Sequence, residues 1–312
     1  MLVSIILPTY NRANLLGRSI GSILGQTYQD WELIIWDDGS TDNTSEVIAS
    51  FNDGRIKYFY EDNHGAAYAR NRPIEKSQGK LLAFLDSDDE WKVNKLAEQI
   101  EVMQTHPEID VLFTDFDNIN EESGKTSRTF EQYTRVMRSL SVVNSGRGLF
   151  IIKECFLCSL AKDNFIATDT VMLRRQSLKI VGSFNESLRN SEDFELWWRL
   201  GLSNISFAYL DRVSMTRYKP AGSLSSISVL SLQNRLHALD ICTAEAIAAG
   251  QPELADFLNP QYRNAWQNLI TVYSQEHKYA EMIDAFKRSL HYGFQPGSVR
   301  LLLEGLIRQL KG

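Results

Sequence analysis

A basic surplus is the first thing this chain lacks: 33 Lys and Arg stand against 39 Asp and Glu in 312 residues, a formal net charge of −6. A broad nucleic-acid surface, which needs cationic side chains to neutralise phosphates, is therefore not expected. An acidic protein can still hold phosphates through a metal. Long hydrophobic runs are missing too. No segment approaches the roughly 18 uninterrupted apolar residues that span a bilayer. The opening "MLVSIILPTYNR" shows neither a basic leader nor an apolar run long enough for a signal peptide. A cytoplasmic protein is expected. Cysteine is scarce, at 3 residues, which fits a reducing compartment. Cys155 and Cys158 in "CFLC" have redox or metal spacing, but no second pair and no nearby His accompany them, so they read as two packed thiols. Nor is there a Gly-rich phosphate loop or Walker-type motif anywhere.

What is present is the composition of a folded globular protein, 43% hydrophobic and 23% charged, with chain enough for one large core or two modest ones. Short β-rich apolar runs punctuate the first 120 residues: "LVSIIL" (2–7), "WELIIW" (31–36), "RIKYFY" (55–60), "LLAFL" (81–85) and "IDVLFTDF" (109–116). Between the first two, Leu16, Ile20, Ile23 and Leu24 recur at helical spacing and define one face. Strand, helix, strand in repetition predicts an α/β fold, a mostly parallel sheet covered by helices. Ligands of such sheets bind beyond the carboxyl ends of the strands. There the sequence is consistently polar: "PTYNR", "DDGSTD" and "DSDDEW".

Residues 120–165 are less regular, with "EESGK" and "NSGRG" marking loops, and read as a variable region beside the crevice. "TVMLRR" (170–175) and "ISFAYL" (205–210) predict two further strands. Between them "NSEDFELWWRLG" reads as a helix start with Ser191 as cap and acids in the first turn. From about residue 229 helical periodicity takes over. Trp266, Leu269, Tyr273 and Phe286 match tetratricopeptide spacing, but only one unit is visible, so a plain helical hairpin is expected. In the last segment Val299, Leu302, Leu303, Leu306, Ile307 and Leu310 share one face, with Arg300, Arg308 and Lys311 elsewhere. Packing on the preceding helices is the expectation and docking on a membrane surface the alternative.

The acidic tip "FLDSDDEW" (84–91) poses the sharpest chemical question. Asp86, Asp88 and Asp89 crowd three carboxylates into four residues, a repulsive arrangement unless a cation or a proton offsets it. Hard oxygen ligands select Mg²⁺ or Mn²⁺, and Mg²⁺ typically takes one or two carboxylates plus substrate phosphates. A solvated turn is the plain alternative. An aspartyl-phosphate phosphatase also places Asp-x-Asp after a strand, but on its opening strand, whereas here the motif follows the fourth.

Taken in order, "VSIILPTYNR", "WDDGSTD", "NHGAAYARN", "GKLLAFLDSDDEW" and "SEDFELWWRL" resemble the family 2 glycosyltransferases of GT-A fold over residues 1–220. The resemblance implies a Rossmann-like, mostly parallel sheet flanked by helices over residues 1–228, with a nucleotide-binding half (1–118) and an acceptor-side half (119–228). An all-helical extension (229–312) lies outside it. It further implies an inverting transfer of sugar from a nucleotide-diphospho-sugar, with a UDP-sugar as the expected donor, to a glycan or lipid-linked acceptor in cell-surface polysaccharide synthesis. Pro8, Thr9 and Tyr10 would wall the base. Asp38 would accept a hydrogen bond from the base, with an Asx turn as its alternative, while Asp37 is structural. Arg70 would lie over the diphosphate, bonding two oxygens at once. Asp86 would face the ribose, and Asp88 would hold the divalent metal. Asp193 matches the general base, with Glu192 competing; a helix N-terminus would keep Asp193 an anion. Trp197 and Trp198 are core residues, with stacking on sugar as the alternative. The family usually has a Gly near Arg72 and Pro73, which this chain lacks. A sugar nucleotidyltransferase, against which the missing phosphate loop weighs, and a non-catalytic sugar or partner-binding module are the other readings. Peripheral attachment at the inner membrane face remains open through the last helices.

Overall fold

The computed structural model describes residues 1–219, 228–293 and 296–311. The strands are β1 (Val3–Thr9), β2 (Trp31–Asp38), β3 (Ile56–Glu61), β4 (Leu81–Phe84), β5 (Glu90–Trp91), β6 (Val111–Asn120), β7 (Thr126–Arg128), β8 (Ser141–Asn144), β9 (Leu149–Glu154), β10 (Met172–Arg174) and β11 (Phe207–Lys219). They form one sheet in the order β3-β2-β1-β4-β10-β6-β11-β9-β8. β3, β2, β1 and β4 pair in parallel. Val3, Ile5, Ile6, Leu33, Ile34, Ile35, Leu81 and Leu82 are buried, as strands covered on both faces require. The helix Ala13–Leu24 turns Leu16, Ile20 and Ile23 into that core. Because these strands run the same way, the tips after β1, β2 and β4 open on one edge.

β10 breaks the parallel order. It is inserted antiparallel to both β4 and β6, so the residues just before it arrive at the tip of β4. β11, antiparallel to β5 and parallel to β6 with irregular register between Leu210 and Met215, runs on to residue 219. The sequence reading ended this strand at 210, because the polar stretch "DRVSMTRYK" carries little β signal of its own. The variable region also proves more ordered than expected. β8 and β9 pair as a hairpin around the turn "SGRG", where Gly146 and Gly148 take positive φ. Cys155 corrects the expectation of packed thiols: it is exposed at the turn after β9, with φ 62°, while Cys242 is buried. Trp197 and Trp198 are core residues.

The chain divides into two compact units, one of Met1–Ser159 with Asn164–Ala221, the other of Leu160–Asp163 with Gly222–Gly312. Leu160 and Ala161 join the second because Gln261 Nε2 donates to both their carbonyl oxygens, at 3.2 and 2.9 Å. That unit is helical: Val229–Ala248, the short Glu253–Asp256, Asn259–Gln275, Tyr279–Ser289 and Pro296–Lys311. Ser228 caps its first long helix by accepting from Ser231 N. Leu236, Leu239, Leu269, Ile270, Met282 and Ala285 are buried within it. In the last helix Leu303 and Ile307 are 53% and 50% exposed, so this part of the apolar face does not pack as expected. The side chains of Leu306, Arg308, Leu310 and Lys311 lie outside the described residues.

One contact makes the β1 to β4 junction sensitive. A Cβ on Gly79 would stand 2.6 Å from both N and Oγ of Ser4, while Gly79 N–H itself donates to Ser4 Oγ at 2.7 Å. Neither backbone can retreat without breaking the sheet pairing. Gly79→Ala is expected to lower unfolding free energy by about 1–3 kcal/mol, measured by urea denaturation; an unchanged midpoint would contradict this packing.

Candidate active site

A cavity of about 360 Å³ opens at the tips of β1, β2 and β4. Pro8, Thr9, Tyr10, Asp38, Arg70, Asp86 and Asp88 all line it, together with Arg12, Asn63, Gly65, Ala66, Ala69 and Ser87. The parallel register thus collects side chains that are up to 80 positions apart. Asp193 is not among the lining residues.

Two neighbouring aspartates at the end of β2 are both held in place. Asp37 Oδ1 accepts from Ser40 N and Oδ2 from Tyr58 Oη, each at 2.8 Å. Asp38 Oδ1 and Oδ2 accept from His64 N and Gly65 N, also at 2.8 Å. This fixes the loop that starts the helix Ala66–Lys76. Gly65 is required there: its φ is 101°, and a Cβ would come within 2.8 Å of Arg189 Nη1. Both oxygens of Asp38, the expected acceptor for the base, thus already accept from backbone amides, and each keeps a second lone pair.

Arg70 departs most from expectation. Its side chain is 8% exposed, with Nη2 donating to Asp86 Oδ1 at 2.7 Å and Nη1 to Glu192 Oε1 at 2.6 Å. The fork expected to hold a diphosphate is already filled by two carboxylates. A guanidinium this buried requires such partners, since desolvation without them costs several kcal/mol. The next residue works alongside: Asn71 Nδ2 donates to Phe184 O and Glu186 Oε1, and its Oδ1 accepts from Phe184 N. Pro73 is accommodated inside the same helix.

Glu192 and Asp193 open the helix Glu192–Leu202. Ser191 occupies the cap position at φ 60°, but its hydroxyl does not bond the first helical amides, because the left-handed backbone aims it elsewhere; it reaches Asn190 Oδ1 at 3.4 Å. Asp193 Oδ1 accepts from Phe194 N at 2.7 Å and Oδ2 from Asn164 Nδ2 at 3.1 Å. Burial, then the charge of Glu192, pushes the Asp193 carboxyl up to about 6. The helix N-terminus was expected to favour the anion; desolvation and a like charge next door raise the pKa against that dipole, and a carboxyl at about 6 is still mostly ionised at neutral pH.

At the acidic tip, Asp88 is 38% exposed, and its ion pair among the described residues is with Arg12 Nε at 3.9 Å. Burial and then the Asp86 charge raise its pKa, which Arg12 and Arg217 offset only in part. No group of three or more His, Cys, Asp or Glu among the described residues forms a complete metal cage. Two neighbouring carboxylates facing a cavity instead fit the incomplete site that Mg²⁺ or Mn²⁺ shares with phosphates. Asp89, quoted in the motif beside them, turns inward: it is buried, and Arg217 Nε approaches its Oδ2 at 3.5 Å. Sequence reasoning missed Asp169 and Arg217, which flank this tip. Only the strand pairings of β10 and β11 reveal them.

A mixed, mostly parallel sheet with Asp86 and Asp88 lining a cavity at its strand tips has the architecture of GT-A type proteins. The family profile described as Glycosyl transferase family 2 matches residues 4–179, and the chain belongs to that family. Among curated relatives, the UDP-Glc:alpha-D-GlcNAc-diphosphoundecaprenol beta-1,3-glucosyltransferase WfgD of Escherichia coli is 44% identical over 123 residues, 39% of this chain. The matched part spans 48% of WfgD and 29% of another curated relative. Among solved structures, S. aureus TarS 1-349 in complex with UDP-GlcNAc aligns with TM-score 0.67 at 18% identity, covering 98% of this chain and 89% of that one. A mannosyltransferase from Pyrobaculum calidifontis in complex with GDP-Man and Mn²⁺ aligns with TM-score 0.58 at 16% identity, covering 99% and 80%. At these identities the two structures establish the fold.

Removing the Arg70 guanidinium would leave Asp86 and Glu192 facing each other uncompensated. Arg70→Met is expected to destabilise the protein by about 3–5 kcal/mol, read by denaturant unfolding; a loss below about 1 kcal/mol would show that the bridge is dispensable.

Proposed function

We propose that this chain is a metal-dependent inverting glycosyltransferase. It moves a sugar from a nucleotide-diphospho-sugar, a UDP-sugar in the first instance, to a hydroxyl of a glycan or lipid-linked acceptor in polysaccharide synthesis. The observation that carries the reading is the pairing of two unlike carboxylate sites. Asp86 and Asp88 line the cavity at the strand tips, and Asp193, raised to about 6, is connected to them through Glu192, Arg70 and Asp86. The name of WfgD, with its UDP-Glc donor and diphosphoundecaprenol-linked acceptor, and the UDP-GlcNAc bound by TarS support the substrate classes.

In this reading the base rests against Pro8, Thr9 and Tyr10, with Asp38 accepting through a remaining lone pair. Thr9 Oγ1 is buried at that wall without a hydrogen-bond partner in the protein, so a bound base gives it one. Asp86 faces the ribose. Asp88 would hold Mg²⁺ or Mn²⁺, which would supply positive charge for the departing diphosphate. Arg70 serves by fixing Asp86 and Glu192, not by touching phosphate. Asp193 takes the proton of the acceptor hydroxyl as its oxygen bonds to the anomeric carbon. The bond from that carbon to the phosphate oxygen breaks on the opposite face, so the configuration inverts. Glu192 is the poorer base because Arg70 holds its carboxylate as an ion pair. A non-catalytic module would have no use for a carboxyl tuned toward neutrality beside such a site. No described helix is long and apolar enough to cross a membrane; a cytoplasmic location with peripheral contact through the last helix, where Leu303 and Ile307 are exposed, suits a lipid-linked acceptor.

Two outcomes test the assignment. Asp193→Asn is expected to slow transfer by roughly 10²- to 10⁴-fold with donor affinity nearly kept, measured by product formation and titration calorimetry; normal transfer would move the base elsewhere. The active form of Asp193 is the deprotonated one, so kcat/KM should fall roughly tenfold per unit as pH drops below about 6. A flat profile between pH 5 and 8 would contradict the role.

A further inference from the structure

Asp169 takes no part in the chemistry above, yet it lies against the tip that performs it. Its place follows from strand register. β10 runs antiparallel to β4 with Leu173 opposite Leu82 and Met172 opposite Ala83; carrying that register onward brings Asp169 opposite Asp86. The backbone ladder stops before that point, since β4 ends at Phe84 and β10 begins at Met172. A side chain replaces it: Asp86 N–H donates to Asp169 Oδ1 at 2.6 Å. Trp91 Nε1 donates to the Asp169 carbonyl oxygen at 3.1 Å, which ties down the far end of the same loop.

β11 closes from the other side. Met215 lies opposite Trp91 and Thr216 opposite Glu90, so Arg217 comes opposite Asp89. Its guanidinium reaches Asp89 Oδ2 at 3.5 Å and Asp169 Oδ2 at 3.4 Å, and it stands 4.7 Å over the Phe116 ring. Asp169 is fully buried, so keeping a carboxylate there is costly unless its oxygens are used. One oxygen accepts from the loop backbone, the other faces Arg217, and the carboxyl also meets that of Asp89 in a side-chain hydrogen bond. An apolar residue would fill the same space without that cost, and the sheet needs no hydrogen bond beyond the end of its ladder. Besides a counter-charge for Arg217, the carboxylate adds a fixed position for the Asp86 backbone.

We propose that Asp169 is a positioning residue of the donor site: by holding the Asp86 N–H it sets the spacing at which Asp86 and Asp88 present their carboxylates to a metal and a nucleoside diphosphate. This rests on the donor-site reading above. The comparison that isolates it is Asp169→Asn against Asp169→Ala in the full chain, because Asn keeps an acceptor oxygen for Asp86 N–H and Ala does not. Mn²⁺ affinity, measured by electron paramagnetic resonance in the presence of UDP, is expected to fall roughly 10- to 100-fold in the Ala variant, as for other residues that orient metal ligands. In the Asn variant it should stay within about threefold of wild type by the same reasoning. Amide hydrogen exchange at Asp86 should accelerate in Ala and remain slow in Asn. Asp169→Ser, too short to reach Asp86, takes the place of Ala if that variant does not fold.

Wild-type affinity together with protected Asp86 exchange in the Ala or Ser variant would overturn the positioning role. So would an Asn variant that folds but binds as poorly as Ala, since charge and not the acceptor would then be what matters. A wild-type chain that binds neither UDP nor Mn²⁺ would instead overturn the donor-site reading, and the Asp86 exchange rates would still decide whether Asp169 holds the loop.

Discussion

The structure depends on offsetting negative charge where several strands end together. A parallel arrangement brings the tips of β1, β2 and β4 to one edge, and in this sequence those tips carry Asp37, Asp38, Asp86, Asp88 and Asp89. Left alone, such a cluster would repel itself and resist burial. The buried Arg70 guanidinium, bonded to Asp86 on one side and Glu192 on the other, is the main counterweight. Because the interaction is buried, salt screens it little, and because it is forked, it fixes both partners in angle as well as distance. The cavity at the strand tips and the helix bearing Asp193 thereby become parts of one electrostatic unit.

That counterweight is incomplete by design of the sequence. Asp38 is satisfied by two backbone amides, Asp89 by the Arg217 guanidinium, and Asp86 by Arg70. Asp88 is left with Arg12 at 3.9 Å, and burial with the nearby Asp86 charge keeps its pKa raised. A site prepared in this way is short of positive charge at one place, inside a cavity. The proposed divalent cation, shared with phosphates, would correct it.

Much of this was legible in the sequence. The parallel core was readable because each strand is a short continuous apolar run and the helix Ala13–Leu24 keeps its 3.6 period. The cavity residues were readable because strand tips in such sheets are where ligands bind, and every residue assigned to the donor side does line the cavity. What each of them bonds to was not. Arg70 looked like a phosphate ligand because its partner Glu192 lies 122 positions away. The raised pKa of Asp193 escaped notice because desolvation belongs to the folded surroundings and not to the helix end. Asp169 and Arg217 were invisible for a related reason: "TDT" and "MTRYK" carry no motif, and only an antiparallel insertion and a long strand with irregular register bring them to the tip.

The account stands on the claim that Asp88 holds the diphosphate of an activated sugar through a divalent ion, with Asp86 toward the ribose and Arg70 staying between Asp86 and Glu192. A crystal structure with a UDP-sugar and Mg²⁺ tests it most directly. The account predicts nucleotide at the β1, β2 and β4 tips, the metal beside the Asp88 carboxylate, and the Arg70 bridge intact. Nucleotide bound away from the β1, β2 and β4 tips, or Asp88 turned from the metal, would contradict it.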